Sequence, residues 1–177
     1  MCGIIGIVSE THVADRLVDA LRRMEYRGYD SAGVCIIDQG ALVRRRAEGK
    51  LGNLVELLHR DPTNGVIGIA HTRWATHGAP TAKNAHPHAT DEVAIVHNGI
   101  IENFKDLRSE LAAEGRQFES ETDSEVVAHL ISSRIEAGLS PEDAVRAILP
   151  RLRGAVALAI SFRSHPDLLI VARLGSP

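Results

Sequence analysis

Aromatic residues are scarce. The chain of 177 residues holds three Phe, two Tyr and one Trp, so an aromatic core is excluded and the interior has to be aliphatic. Cysteine is rarer still. Cys2 and Cys35 do not make the framework of a small secreted disulfide protein, and they point to a reducing, cytoplasmic setting. No apolar run approaches the roughly 20 residues that a membrane-spanning helix needs. The first residues lack the basic region and cleavage site of a secretory leader. Neither sign of charge dominates, with 20 Lys and Arg against 23 Asp and Glu. A formal net charge of −3 creates no field that gathers nucleic acid or an anionic bilayer, and the basic cluster at 44–46 is too short for either. Repeats and low-complexity stretches are absent. One domain over residues 1–177 is expected, with neither nucleic acid nor membrane as partner.

What is present is a set of short apolar runs. Residues 4–8, 34–37, 66–70, 93–96, 155–160 and 168–172 read as strands buried on both faces. Asp38-Gln39-Gly40 predicts a hairpin turn, with Leu42 and Val43 starting the return strand. Helical spacing lies between the runs. Val13, Leu17, Leu21 and Met24 share one face; Phe104, Leu107 and Leu111 make a second stripe; Val126, Val127, Leu130 and Ile131 make a third. Ser140-Pro141-Glu142-Asp143 is a helix start, with a capping hydroxyl, a proline in the first turn and acids near the positive end of the dipole. Pro150 ends that helix. Strands buried on both faces need helices as cover. Because 34–46 reads as a hairpin, a layered α/β or α+β sandwich is expected rather than a doubly wound parallel sheet.

Chemistry is concentrated at the N-terminus and in three polar segments. The chain starts Met1-Cys2-Gly3, and a start methionine before a small residue is the usual substrate for trimming. Removal of Met1 leaves Cys2 with a free α-amine beside its thiol. Those groups have ordinary pKa values of roughly 7.7–8.0 and roughly 8.5, which makes a nucleophile with its own base. Residues 26–33, 71–78 and 97–103 carry unusual polar content next to strand ends. Three of the six aromatics, Tyr26, Tyr29 and Trp74, fall in the first two. For Asn98-Gly99 a second reading is a hairpin turn. Thr122 and Glu125 are spaced as a capping box at a helix start. His71, His77, His86, His88 and His97 invite a metal site, but none shows the spacing of a zinc motif, and Pro87 is expected to point the rings of His86 and His88 in different directions. Cys35, in an apolar run, reads as a buried small hydrophobe.

Met1-Cys2-Gly3, Arg27-Gly28-Tyr29-Asp30, residues 71–78, His86-Pro87-His88, residues 97–103 and Glu121-Thr122-Asp123 occur in that order. Together they resemble the glutaminase domain of the glutamine–fructose-6-phosphate aminotransferases, over essentially the whole chain. The resemblance implies an α+β fold: the four-layer αββα sandwich of the N-terminal-nucleophile (Ntn) hydrolases, two stacked antiparallel sheets between helix layers. It implies hydrolysis of the side-chain amide of L-glutamine through a Cys2 thioester, with no cofactor and no metal. Asn98 and Gly99 correspond to the oxyanion hole. Arg73 corresponds to the ligand of the substrate α-carboxylate and Asp123 to that of the α-ammonium. Trp74, Thr76 and His77 fall in the loop that closes over glutamine, and Arg27 orders the site around Cys2. The histidines are expected to make structural hydrogen bonds or, for His77 and His86, to line the sugar-domain side. In the family the chain continues into sugar isomerase domains, absent here, where ammonia meets fructose 6-phosphate to make glucosamine 6-phosphate, and the full-length protein is a homodimer. An amidotransferase with another acceptor is disfavoured by segments 26–33 and 71–78. If Met1 is retained, the alternative is a non-catalytic module that senses glutamine.

Overall fold

The computed structural model describes residues 2–74 and 78–175. Its first sheet is built from β1 (Gly3–Val8), β2 (Ser31–Asp38), β3 (Ala41–Glu48) and β4 (Ile67–Arg73), in the order β1-β4-β2-β3. The second holds β5 (His88–Ala89), β6 (Val93–Gly99), β7 (Val156–Phe162) and β8 (His165–Leu174), in that order. All strand pairs are antiparallel. The expected hairpin at 38–40 joins β2 to β3, with Gln39 and Gly40 both at positive φ.

Helices cover the outer face of each sheet. Helices α1 (Ala14–Arg22) and α2 (Leu51–Arg60) pack Leu17, Leu21, Leu54 and Leu58 against Val34, Ile36 and Ala70 of the first sheet. Helices α3 (Phe104–Ala113), α4 (Glu125–Glu136) and α5 (Pro141–Ile148) pack Leu107, Leu111, Val127, Ile131 and Ile148 against Ile95, Ile160 and Phe162 of the second. Each fully buried Leu or Ile stabilises these layers by about 1.5–3 kcal/mol. Between the sheets lies a third, thinner layer of Cys35, Ile69, Ala94, Val96 and Ala159. The result is the αββα sandwich that the resemblance implies.

The start of α5 is as read: Ser140 Oγ accepts the Asp143 N–H at 3.2 Å, with Pro141 as the first helical residue. Helix α2 was not anticipated, although Leu51, Leu54 and Leu58 follow helical spacing and are its buried residues. Two strands run further than their apolar letters. β4 continues through His71, Thr72 and Arg73, and β6 through His97, Asn98 and Gly99. The polar segments at 71–78 and 97–103 therefore begin as strand ends. Among the described residues no helix is long and apolar enough to cross a membrane.

Candidate active site

Three strand ends converge. β1 and β4 are antiparallel with Gly3 opposite Thr72, so the start of β1 meets the end of β4. Cys2 therefore sits beside Arg73 and Trp74. The Trp74 N–H donates to Cys2 Sγ at 3.1 Å. Burial pushes the Cys2 thiol above its ordinary value; the Trp74 N–H and the Arg73 cation pull the other way, and the charge of Asp30 adds to the rise. The thiol is thus protonated at neutral pH, and attack by sulfur requires a base.

β6 brings Asn98 across from the other sheet. Asn98 Nδ2 donates to the Cys2 carbonyl at 3.1 Å. Its Oδ1 lies 2.9 Å from His71 Nε2, which is also 3.1 Å from the His97 carbonyl. Both partners of that nitrogen accept, so Nε2 carries the proton. Burial drives the His71 pKa down to about 3, which keeps the ring neutral. A neutral donor on Oδ1 fixes which way the Asn98 amide points, with Nδ2 toward Cys2. Gly99 is at φ 127°, and a Cβ there would lie 1.8 Å from the Ala155 carbonyl oxygen; only glycine fits.

The two charged side chains singled out for an amino-acid substrate are both buried. Arg73 Nη1 donates to the Ala79 carbonyl and Nη2 to the Gly78 carbonyl, each at 3.2 Å. Asp123 precedes α4, and its Oδ2 accepts the Ile101 N–H at 2.8 Å. This bond fastens the acid to the chain just beyond Asn98 and Gly99. Trp74 is about half exposed, at 48%, with its ring edge-on to Tyr29 at 5.4 Å. Arg27 ends a short 3-10 turn (Glu25–Arg27), with its guanidinium 5.9 Å from the Tyr26 ring centre. Thr76 and His77 lie outside the described residues.

Three sequence readings are corrected. Asn98-Gly99 is not a hairpin turn, because Asn98 pairs with Ala157 and Gly99 with Val156 inside the β6–β7 ladder. The capping box is not formed. Glu125 instead accepts the N–H groups of Glu119 at 2.8 Å and Ser120 at 2.7 Å, and the Ser120 hydroxyl at 2.7 Å. Thr122 Oγ1 faces His88 Nε2 at 2.9 Å. The rings of His86 and His88 do not diverge. They lie 4.5 Å apart, and His86 also stacks on His71 at 4.2 Å. His86 is buried.

The structure adds residues that periodicity does not reveal. Glu125 is one: burial works against its charge, yet hydrogen bonds from His129, Ser120 and the Glu119 and Ser120 N–H groups hold its pKa down to about 2. It pins the turn that presents Asp123. His71 is another, through Asn98. His97 Nδ1 lies 2.8 Å from Ser124 Oγ and joins β6 to the start of α4. The one signal available was the crowding of polar letters directly after apolar runs. Among the described residues, no three His, Cys, Asp or Glu side chains converge in a way that could hold a metal ion.

Known proteins share this chain's pattern. A family model described as "Glutamine amidotransferase domain" matches residues 71–175. Over all 177 residues the chain is 64% identical to a glutamine–fructose-6-phosphate aminotransferase (isomerizing) of Zymomonas mobilis and 62% identical to one of Brucella suis. It spans 29% of the length of each of these relatives. Among solved structures, the glutamine phosphoribosylpyrophosphate amidotransferase of B. subtilis superposes with a TM-score of 0.80 at 25% identity, covering 98% of this chain and 37% of that one. A second, described as the allosteric regulatory enzyme of purine biosynthesis, gives 0.78 at 25% identity, covering 92% and 36%. With its stacked sheets, its N-terminal cysteine and a family match over more than half its length, this chain belongs to the glutamine amidotransferase domain family.

Proposed function

We propose that this chain, once Met1 is removed, hydrolyses the side-chain amide of L-glutamine to glutamate and ammonia. One observation carries the reading: the Cys2 thiol is bonded to the backbone next to Arg73 while its carbonyl is bonded to Asn98. Nucleophile, carboxylate clamp and oxyanion donor are thereby one connected unit. The Cys2 α-amine takes the thiol proton as Sγ attacks the amide carbon. Asn98 Nδ2, with a second N–H beyond the one given to Cys2, and Gly99 stabilise the oxyanion. The amine then protonates departing ammonia, leaving a thioester. Water, activated by the same amine, releases glutamate and restores the thiol. Arg73 takes the α-carboxylate as a planar two-donor fork, and Asp123 takes the α-ammonium. Trp74, Thr76 and His77 close over the substrate, and Arg27 orders the segment beside Cys2.

The names of the relatives extend the proposal. In a longer protein this region would be the glutaminase domain, passing ammonia to a sugar isomerase domain that converts fructose 6-phosphate to glucosamine 6-phosphate. Such a protein would be a cytoplasmic homodimer.

Intact mass before and after a diazo-ketone analogue of glutamine tests the reading. The expected result is a starting mass without methionine, then one adduct that Cys2→Ala abolishes. A chain that retains methionine and takes no adduct would refute the catalytic reading and favour a glutamine-sensing module.

A further inference from the structure

Two segments that carry the clamps meet on one buried amide. Asn84 closes the 3-10 turn Ala82–Asn84 and is 1% exposed. Its Oδ1 accepts the Glu121 N–H at 2.9 Å. Its Nδ2 donates to the Ala79 carbonyl at 3.1 Å and toward Glu121 Oε2 at 3.3 Å. The same Ala79 carbonyl accepts Arg73 Nη1. Gly78, whose carbonyl accepts Arg73 Nη2, lies against the amide; a Cβ on it would come 2.8 Å from Asn84 Nδ2. Arg73 therefore rests on residues 78–79, and Asp123 follows Glu121 by two residues. Asn84 spans the gap with a donor on one side and an acceptor on the other.

We propose that Asn84 is a positioning residue that couples the two clamps, so that a ligand with both an α-carboxylate and an α-ammonium binds better than the sum of its charges. This rests on the glutamine reading above. The physical basis is preorganisation. A carboxamide is rigid and planar, so a shift of the Ala79 carbonyl, as Arg73 turns to a carboxylate, is transmitted to the Glu121 N–H and on to Asp123. With the span preset, the second charge meets its partner without further ordering of the chain. Ligands with one charge gain nothing from the link.

The test compares Asn84→Ala and Asn84→Asp in the full chain. Asn84→Asp keeps the shape and the acceptor for the Glu121 N–H, but turns an oxygen onto the Ala79 carbonyl and Glu121 Oε2, both of which then lose a donor. The readouts are kcat and KM for L-glutamine, and the inhibition constant of glutaramate, which lacks the α-ammonium. Both variants are expected to raise KM for L-glutamine about tenfold with kcat within about twofold, while the glutaramate constant moves less than about threefold. A role confined to folding lowers the active fraction, and so kcat, and leaves KM alone. Equal weakening of both ligands, an unchanged KM, or a loss in kcat alone overturns the coupling. Absence of glutamine hydrolysis by the unsubstituted chain would instead sink the glutamine reading, and the coupling with it.

Discussion

Acid should unfold this protein early, through its buried histidines. Burial holds His71 and His88 near pKa 3 and His97 near 4, and pushes His86 well below its ordinary value. The charges around them are Arg44, Arg46 and Arg73 on one side and Asp123 and Glu125 on the other. In the unfolded chain each imidazole titrates near roughly 6.5. Above that pH neither state holds the proton, and the contribution to stability is complete. As the pH falls below it, the unfolded chain takes up protons that the folded chain refuses, so stability is lost until the folded values near 3–4 are reached. Between pH 7.5 and 5.5 each such histidine costs on the order of 1 kcal/mol, and His71, His88 and His97 together cost a few kcal/mol. His86 adds in the same direction. A domain of this size has about 5–15 kcal/mol in total, so the loss is a large fraction of it. The magnitude does not depend on the folded values as long as they stay well below 5.5. Glu125, held near 2, contributes outside this window. Urea unfolding followed by far-UV circular dichroism at the two pH values measures the difference. A change under about 1 kcal/mol would mean that the folded protein protonates these rings, and that their burial does not exclude the charge.

Two further outcomes concern the site. Asn98→Ala should lower kcat for glutamine by about 10²–10³-fold, the range for one lost oxyanion donor, while alkylation of Cys2 by the diazo-ketone analogue persists; an unchanged kcat in a steady-state ammonia assay would remove Asn98 from the reaction. Glu125→Gln should destabilise the chain by about 1–3 kcal/mol, since an acceptor of three hydrogen bonds around Glu119 and Ser120 is replaced by a poorer one, and should also raise KM for glutamine through Asp123; a shift in urea midpoint with KM untouched would confine Glu125 to folding.

The apolar runs located every long strand but β3, half of whose letters are charged and which followed from the turn at 38–40, because run length reports which residues leave water. They did not report where β4 and β6 end. Arg73 and Asn98 are polar letters inside a ladder, tolerated because Ala79, Gly78, Cys2 and His71 satisfy them. The motif resemblance supplied Cys2, Arg73, Asn98, Gly99 and Asp123; in the fold Cys2 is hydrogen-bonded to Trp74 and Asn98, and Asp123 to Ile101 just beyond Gly99. That Cys2 meets Asn98, 96 positions along the chain, follows from sheet register and stacking, which no local pattern encodes. His71, Asn84 and Glu125 were out of reach for a related reason. Each acts by hydrogen-bonding another polar group, and such residues have no period and no preferred spacing. Helix α2 was legible and was passed over, since Leu51, Leu54 and Leu58 follow a strand that already accounted for its neighbours.

The thin layer between the sheets has a consequence for the chemistry. Cys2 directly precedes β1 and Arg73 ends β4 of the first sheet, while Asn98 lies in the second, so the distance from the thiol to the proposed oxyanion donor is a sheet-to-sheet dimension. That dimension follows the thickness of the layer of Cys35, Ile69, Ala94, Val96 and Ala159. The sandwich therefore works as a calliper whose jaws are the strand ends and whose gauge is the volume of those residues. A methylene added in that layer is felt first as a wider gap at the jaws, before Cys2, Arg73 or Asn98 has changed.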